Sequence, residues 1–288
     1  MRFGVILPNL GVGGDVLRLV DLAVRAEHAG WDAVLVWDSV FSPGWHEEYE
    51  GQPERQATCD PWLALAAIAV RTRRVVLGPM VTPPARRRPW KLAREVVTLD
   101  HLSAGRAVLP VALGAPDDGA FALVGEPIDR RTRAERLDES LAILTGLWSG
   151  EPFAFQGGHY RTAAMTFLPR PLQQPRVPVW VVAGWPRRRS MRRALRYDGI
   201  IPVRIADDGA LSVMRPADIA QLRADLPSDR RYEVVVQARA AGRAEAPLYA
   251  EAGATMWLQD VWQDMLAARA PKDIDVVQEQ IAEGPPRT

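Results

Sequence analysis

Residues 88–114 read R-P-W-K-L-A-R-E-V-V-T-L-D-H-L-S-A-G-R-A-V-L-P-V-A-L-G. Pro89 suits the first position of a helix, because an N–H there would have no intrahelical partner. Leu92, Val96 and Leu99 then recur at helical spacing and mark one buried stripe. Ala104-Gly105 stops the helix, and Ala107 to Leu113 is a nearly unbroken apolar run of the kind buried on both faces of a parallel sheet. Gly114 closes it, where a ligand can approach the backbone. The segment is half of a β/α repeat.

The same alternation runs outward in both directions. Phe3–Leu7, Ala33–Trp37 and Val75–Val81 are predicted strands, separated by a helix on Val16, Leu19, Val20, Ala23 and Ala26 and another begun by Asp60-Pro61. Beyond Gly114 the rhythm breaks. Residues 115–178 hold a helix on Leu137, Leu141, Leu144 and Trp148, then a hairpin over Phe153 to Phe167. Val179–Ala183, Gly199–Val203, Glu233–Gln237 and Ala254–Leu258 complete eight strands, with helices started by Pro216 and Pro247 between the later ones. This is the pattern of one (β/α)8 TIM barrel spanning 1–288, with an insertion between strands four and five.

Composition excludes several classes of function. A net charge of +1 gives no electrostatic case for nucleic acid or a membrane surface, and no apolar run approaches the roughly 20 residues that span a bilayer. Cys59 is the only cysteine, which rules out an internal disulfide and a cysteine zinc cluster. With no signal-peptide pattern at the N-terminus, a cytoplasmic protein is expected. No G-x-G-x-x-G follows a strand, no G-x-S-x-G elbow is present, and no histidine pair has metal-ligand spacing. Asp38 and Asp260 are too thin a carboxylate pair for a glycosidase.

Leu99-Asp100-His101-Leu102-Ser103-Ala104-Gly105-Arg106 resembles the signature of the luciferase-like flavin monooxygenases and their deazaflavin-dependent relatives. Pro178 to Pro202 resembles the same family's phosphate turn, in which a strand ends in small residues and leads into a helix. Gly78-Pro79-Met80-Val81-Thr82 is similar to its third strand, whose end carries a bulge, often with a non-prolyl cis peptide, beneath the flavin ring. The resemblance implies an oxidoreductase that holds reduced FMN, supplied by a separate NAD(P)H-dependent flavin reductase, and uses O2 on a small organic substrate. The alternative is hydride transfer with the 8-hydroxy-5-deazaflavin coenzyme. The resemblance also allows a homodimer.

Barrels of this kind work at the C-terminal ends of their strands. The implied cofactor contacts are Val81, Thr82, Leu113, Gly114, Ala183, Gly184, Trp185 and Arg189. Backbone amides near Gly184 are expected to receive phosphate, since unpaired N–H groups and the helix dipole favour anions. Trp257 and Trp45 are expected to line the substrate pocket, being large, flat and near strand ends. Trp37 is expected to be core or to stand behind the residues that line the pocket.

The chain departs from the family at strand two. An acidic residue followed by histidine is common there, and this sequence has Asp38-Ser39. Serine donates a hydrogen bond but does not shuttle protons near neutral pH as imidazole does. Asp38, Ser39 and the nearby His46 are the remaining catalytic candidates. A flavin-binding protein without turnover is the alternative from another class.

Overall fold

A computed structural model of the protein describes residues 1–40, 57–114, 121–205, 211–261 and 273–286. His46 and Trp45 lie outside the described residues.

Eight strands run parallel around a barrel: β1 (Arg2–Leu7), β2 (Ala33–Val36), β3 (Val76–Pro79), β4 (Leu109–Val111), β7 (Val179–Trp185), β8 (Gly199–Ile205), β10 (Glu233–Ala238) and β11 (Met256–Asp260). The hydrogen-bonded order is β3-β2-β1-β11-β10-β8-β7-β4. Single parallel bridges, Leu77 to Ala107 and Thr82 to Val111, join β3 to β4 and bring the ring nearly to closure. Between β4 and β7 the chain adds a long helix and an antiparallel pair, β5 (Phe153–Gln156) with β6 (Arg161–Met165), and β9 (Leu211–Ser212) pairs with β8.

The outer helices begin where the sequence supplies caps. Helix α1 (Val16–His28) starts at Asp15, whose carboxylate accepts Leu17 and Arg18 N–H. Helix α2 (Pro61–Arg71) starts at Asp60, and α3 (Pro89–Leu102) at Pro89. The long helix α4 (Arg130–Trp148) has Asp129 accepting Thr132 N–H. Asp129, Asp60 and Asp15 each satisfy amides that the helix itself leaves unpaired. Helices α5 (Arg188–Ala194), α6 (Pro216–Ala224), α7 (Ala246–Glu251) and α8 (Asp273–Ala282) follow.

Strand alternation divides the core in two. Ile6, Leu35, Val108, Trp180, Val235 and Leu258 fill the barrel interior. Their neighbours, including Val5, Val34, Leu109, Val181 and Trp257, pack outward against the helices. Successive strand side chains point to opposite faces, so one strand serves both cores.

The signature segment lies at the opposite end from the strand C-termini. Asp100 accepts Leu172 and Gln173 N–H and the Gln173 side chain, fixing the approach to β7. Arg106 donates to the carbonyls of Ala69, Thr72, Val75 and Ser103 and to Thr72 Oγ1, gathering the end of α2 onto the barrel. Ala104 (φ 54°) and Gly105 (φ 82°) turn the chain between them. These residues hold scaffold, as expected for the N-terminal face of a barrel.

Candidate functional site

The C-terminal ends of β2 and β3 meet in a buried polar cluster. Asp38, almost without exposed side-chain surface, accepts Arg87 Nη2 at 2.7 and 2.9 Å, Arg86 Nη2 at 3.1 Å and Thr82 Oγ1 at 2.7 Å; Arg86 also donates to the Asp38 carbonyl. Burial alone would raise the Asp38 pKa, but the charges of Arg87 and Arg86 and the hydrogen bonds from Arg87 and Thr82 leave it lowered. Asp38 therefore stays ionised, and it is not a proton donor near neutral pH. Asp38, a catalytic candidate from the sequence, stands here as the centre of an ion-pair cluster that ties the ends of β2 and β3 together. The Thr82 hydroxyl, on a residue the sequence offers as a cofactor contact, is directed at Asp38.

The cluster continues through aromatic rings. Arg86 lies 5.9 Å and Arg133 5.0 Å from the centroid of Phe121, and Arg87 lies 5.8 Å from that of Trp62. Arg133, buried on α4, donates to the carbonyls of Gly114 at 2.8 Å and Leu113 at 3.3 Å. Arg136 on the same helix reaches the Ala85 carbonyl at 3.2 Å. Helix α4 thus clamps the ends of β3 and β4. Gly114 has φ 82°, and a Cβ there would come within 2.5 Å of Phe121, so glycine is required by the chain path and by packing. Expected as a cofactor contact, Gly114 is accounted for structurally.

Ser39 sits half-buried beside Asp38. Its carbonyl accepts Asn9 Nδ2 at 2.9 Å, which also donates to the Cys59 carbonyl at 2.8 Å. Asn9 Oδ1 is buried without a hydrogen-bond partner, leaving an unsatisfied acceptor at the end of β1. Met80-Val81 is a cis peptide, and both side chains pack on the interior cluster, as does Trp37. Trp37, Met80 and Val81 make an apolar shelf over the interior.

Trp257 is a correction. It follows Met256 and precedes Leu258, both interior, so alternation sends it outward, where it is fully buried edge-on to Phe3 at 6.1 Å. It does not line the mouth. Trp37 and Trp180 are the tryptophans that face the interior cluster.

The turn after β7 also differs from expectation. Gly184 N–H, expected to be available for phosphate, donates to Ser190 Oγ at 2.9 Å. A Cβ on Gly184 would come within 2.1 Å of Ile205, which gives the glycine a packing reason. Ala183 packs outward in the helix-facing core, and Trp185 packs against that core, half-buried. Arg189 is exposed together with Arg187 and Arg188. The seven-residue α5 has no side-chain cap.

Asp260, offered by the sequence as a strand-end carboxylate, pairs with Gln237. Gln237 and Asp260 have the parity of Val235 and Leu258, which face the interior, and Gln237 Nε2 donates to Asp260 Oδ2 at 2.5 Å. Beside them, Arg204 at the end of β8 meets Asp218 at 2.9 Å. Hydrogen bonds from Arg215, against a smaller opposing effect of burial, hold Asp218 at about 2. Among the described residues no group of histidine, cysteine and acidic side chains could hold a metal ion. No described helix is long and apolar enough to cross a membrane.

Residues 1–287 match the family described as luciferase-like monooxygenase. The F420-dependent glucose-6-phosphate dehydrogenase of Nakamurella multipartita is 35% identical over 170 residues, covering 59% of this chain and 47% of that protein. Its counterpart in Intrasporangium calvum is 37% identical over 172 residues, covering 59% and 48%. The chain thus spans about half the length of the curated relatives it matches. Among solved structures, an F420-dependent secondary alcohol dehydrogenase in complex with an F420-acetone adduct superposes with a TM-score of 0.71 at 16% identity, covering 98% of both chains. The monooxygenase RslO1 from Streptomyces bottropensis gives 0.63 at 22% identity, covering 97% of this chain and 83% of that one. At these identities the structural likeness speaks for the fold.

Proposed function

The chain belongs to the luciferase-like monooxygenase family, and within it we propose an oxidoreductase that exchanges hydride between a deazaflavin coenzyme and a small organic substrate. The reading with reduced FMN and oxygen gives way to its alternative. One observation carries the change: relatives 35% and 37% identical are F420-dependent dehydrogenases, whereas the monooxygenase neighbour is 22% identical. A separate flavin reductase has no part in this reading.

The described residues fit such a group. The shelf of Trp37, Met80 and Val81 suits a flat ring, the buried Asn9 Oδ1 lacks a donor, and exposed arginines at the start of α5 suit an anionic tail. When bound, a deazaflavin supplies a ring carbon that gives or takes hydride without oxygen. The protein's part is to place and dry the reacting atoms. Asp38 with Arg86 and Arg87 fixes the strand ends that present Ser39 and the shelf, and the apolar side chains exclude water. Ser39 Oγ hydrogen-bonds the substrate oxygen, and the hydroxyl proton released as the hydride leaves passes to water at the mouth, outside the apolar shelf.

The test is an anaerobic assay of the full chain with oxidised deazaflavin and a panel of secondary alcohols and sugar phosphates, followed by coenzyme absorbance. Bleaching by one substrate class is the expected result. Oxygen consumption with reduced FMN, and no bleaching, contradicts the proposal.

A second reading is favoured by Ser39 itself. With Asp38 held by two arginines and, among the described residues, no imidazole beside it, the chain would bind the coenzyme without turnover. Tight binding with no bleaching by any substrate is its mark.

A further inference from the structure

The lining of the barrel is apolar except at its two ends. Along the eight strands, every position of inward parity is hydrophobic, glycine or proline apart from four: Arg2, Glu233, Gln237 and Asp260. Arg2 and Glu233 lie at the N-terminal end and pair at 2.7 Å, with Thr255 Oγ1 donating to the same carboxylate at 2.6 Å. Gln237 and Asp260 lie at the C-terminal end, where barrels of this kind work. Gln237 stands opposite Leu258, and Asp260 is the next inward position along β11. Their outward neighbour Gln259 has a different task, holding Arg243 at 2.7 Å and Gln280 at 3.2 Å against the helix layer. Polar side chains in an apolar lining are costly unless hydrogen-bonded, and departures from the apolar pattern are expected at functional sites.

The pairing decides which way the Gln237 amide turns. A carboxylate accepts and does not donate, so the amide presents Nε2 to Asp260 Oδ2, at 2.5 Å. Gln237 Oε1 is thereby turned away from Asp260, and no group among the described residues donates to it. Gln237 is half-buried, whereas Asp260 has no exposed surface. An acceptor of fixed orientation faces the mouth, and the carboxylate that fixes it stands behind.

We propose that Gln237 is a specificity-determining residue, positioned by Asp260, whose Oε1 accepts a hydrogen bond from a second hydroxyl of the substrate. The inference rests on the hydride-transfer reading, in which Ser39 takes the reacting oxygen, and it narrows the small organic substrate to a diol or polyol. Ser39 follows β2 and Gln237 lies near the end of β10, three strands away in the sheet. At about 4.8 Å per strand they stand roughly 14 Å apart along the wall, and closer across the mouth. The two groups therefore hold a molecule from different sides. An analogue lacking the second hydroxyl is rejected because it leaves the acceptor unpaired.

The test compares cyclohexanediol, with its hydroxyls across the ring, and cyclohexanol on the full chain. Thermal shift with reduced deazaflavin present, which cannot take hydride, reads binding; absorbance of the oxidised form reads turnover. Wild-type protein is expected to bind the diol about tenfold more tightly. Gln237→Met, similar in volume but without the amide, brings the ratio to about one and leaves the affinity for cyclohexanol unchanged. Asp260→Asn, which touches no ligand atom, frees the amide to turn and lowers the ratio about threefold or more, again with cyclohexanol unaffected. A merely structural role would weaken both ligands alike. Should Asp260→Asn fail to fold by circular dichroism, Gln237→Met decides. Equal affinity for the two ligands in the wild type, binding of neither, or a preference that survives Gln237→Met overturns the inference and leaves the hydride reading standing. A preference abolished by Gln237→Met supports it, and failure of the wider substrate panel to bleach the coenzyme counts against the hydride reading alone.

Discussion

Arg87 Nη2 spans both carboxylate oxygens of Asp38, at 2.7 and 2.9 Å, and so ties the end of β2 to the segment that follows β3. Arg86 and Thr82 complete the set, and the Asp38 side chain is 1% exposed. Removing one partner of such a pair strands the other charges. Asp38→Asn is expected to destabilise the fold by about 3–5 kcal/mol, read by urea unfolding at pH 7.

The same pair has a pH signature. Because the folded pKa of Asp38 lies below its unfolded value, its contribution is fully present above about pH 4 and is lost as pH falls through the folded value. The stability gap between wild type and Asp38→Asn is expected to narrow as pH falls below about 4. A gap that stays constant over that window contradicts an ionised Asp38.

Trp37 and Trp257 separate binding from stability. Trp257→Ala empties a fully buried site in the helix-facing core and is expected to cost about 3–5 kcal/mol, with coenzyme affinity unchanged in the folded fraction. Trp37→Ala removes part of the shelf and is expected to weaken coenzyme binding about tenfold or more. Titration of both variants beside thermal melts distinguishes the two effects.

Arg106 tests the signature as scaffold. Its guanidinium holds carbonyls of α2, Val75 and Ser103 at the face away from the mouth. Arg106→Ala is expected to lose about 2 kcal/mol or more with coenzyme dissociation constants unaltered. A large change in affinity at normal stability contradicts that division.

Ser39 stands where an imidazole would supply a proton shuttle. In the hydride-transfer reading, Ser39→His is expected to raise kcat about tenfold or more, with a new pH limb near about 6.5. Steady-state rates from pH 5 to pH 9 measure it; an unchanged profile contradicts the role given to this position.

The barrel was legible because its signals are local and redundant. Proline-started helices at Pro61 and Pro89, apolar runs such as Ala107–Leu113 and the turn at Ala104-Gly105 each fix one element, and the elements repeat. The site was less legible because its reading depends on parity and partners. A shift of one residue along β11 decides whether Trp257 faces the mouth or the helices, and nothing in its neighbours' chemistry gives that shift. Gly184 reads as a phosphate turn in sequence, but Ser190, six residues on, takes its amide. Asp38 reads as a catalytic candidate in sequence, and its partners Arg86 and Arg87 lie nearly fifty residues away.

The most direct test of the central claim is a fluorescence titration of the purified full chain with oxidised deazaflavin coenzyme and, separately, with FMN. The expected result is saturable quenching by the protein with a dissociation constant of about 1 μM for the deazaflavin and far weaker binding of FMN. Micromolar binding of FMN, with the deazaflavin signal unchanged, would contradict it.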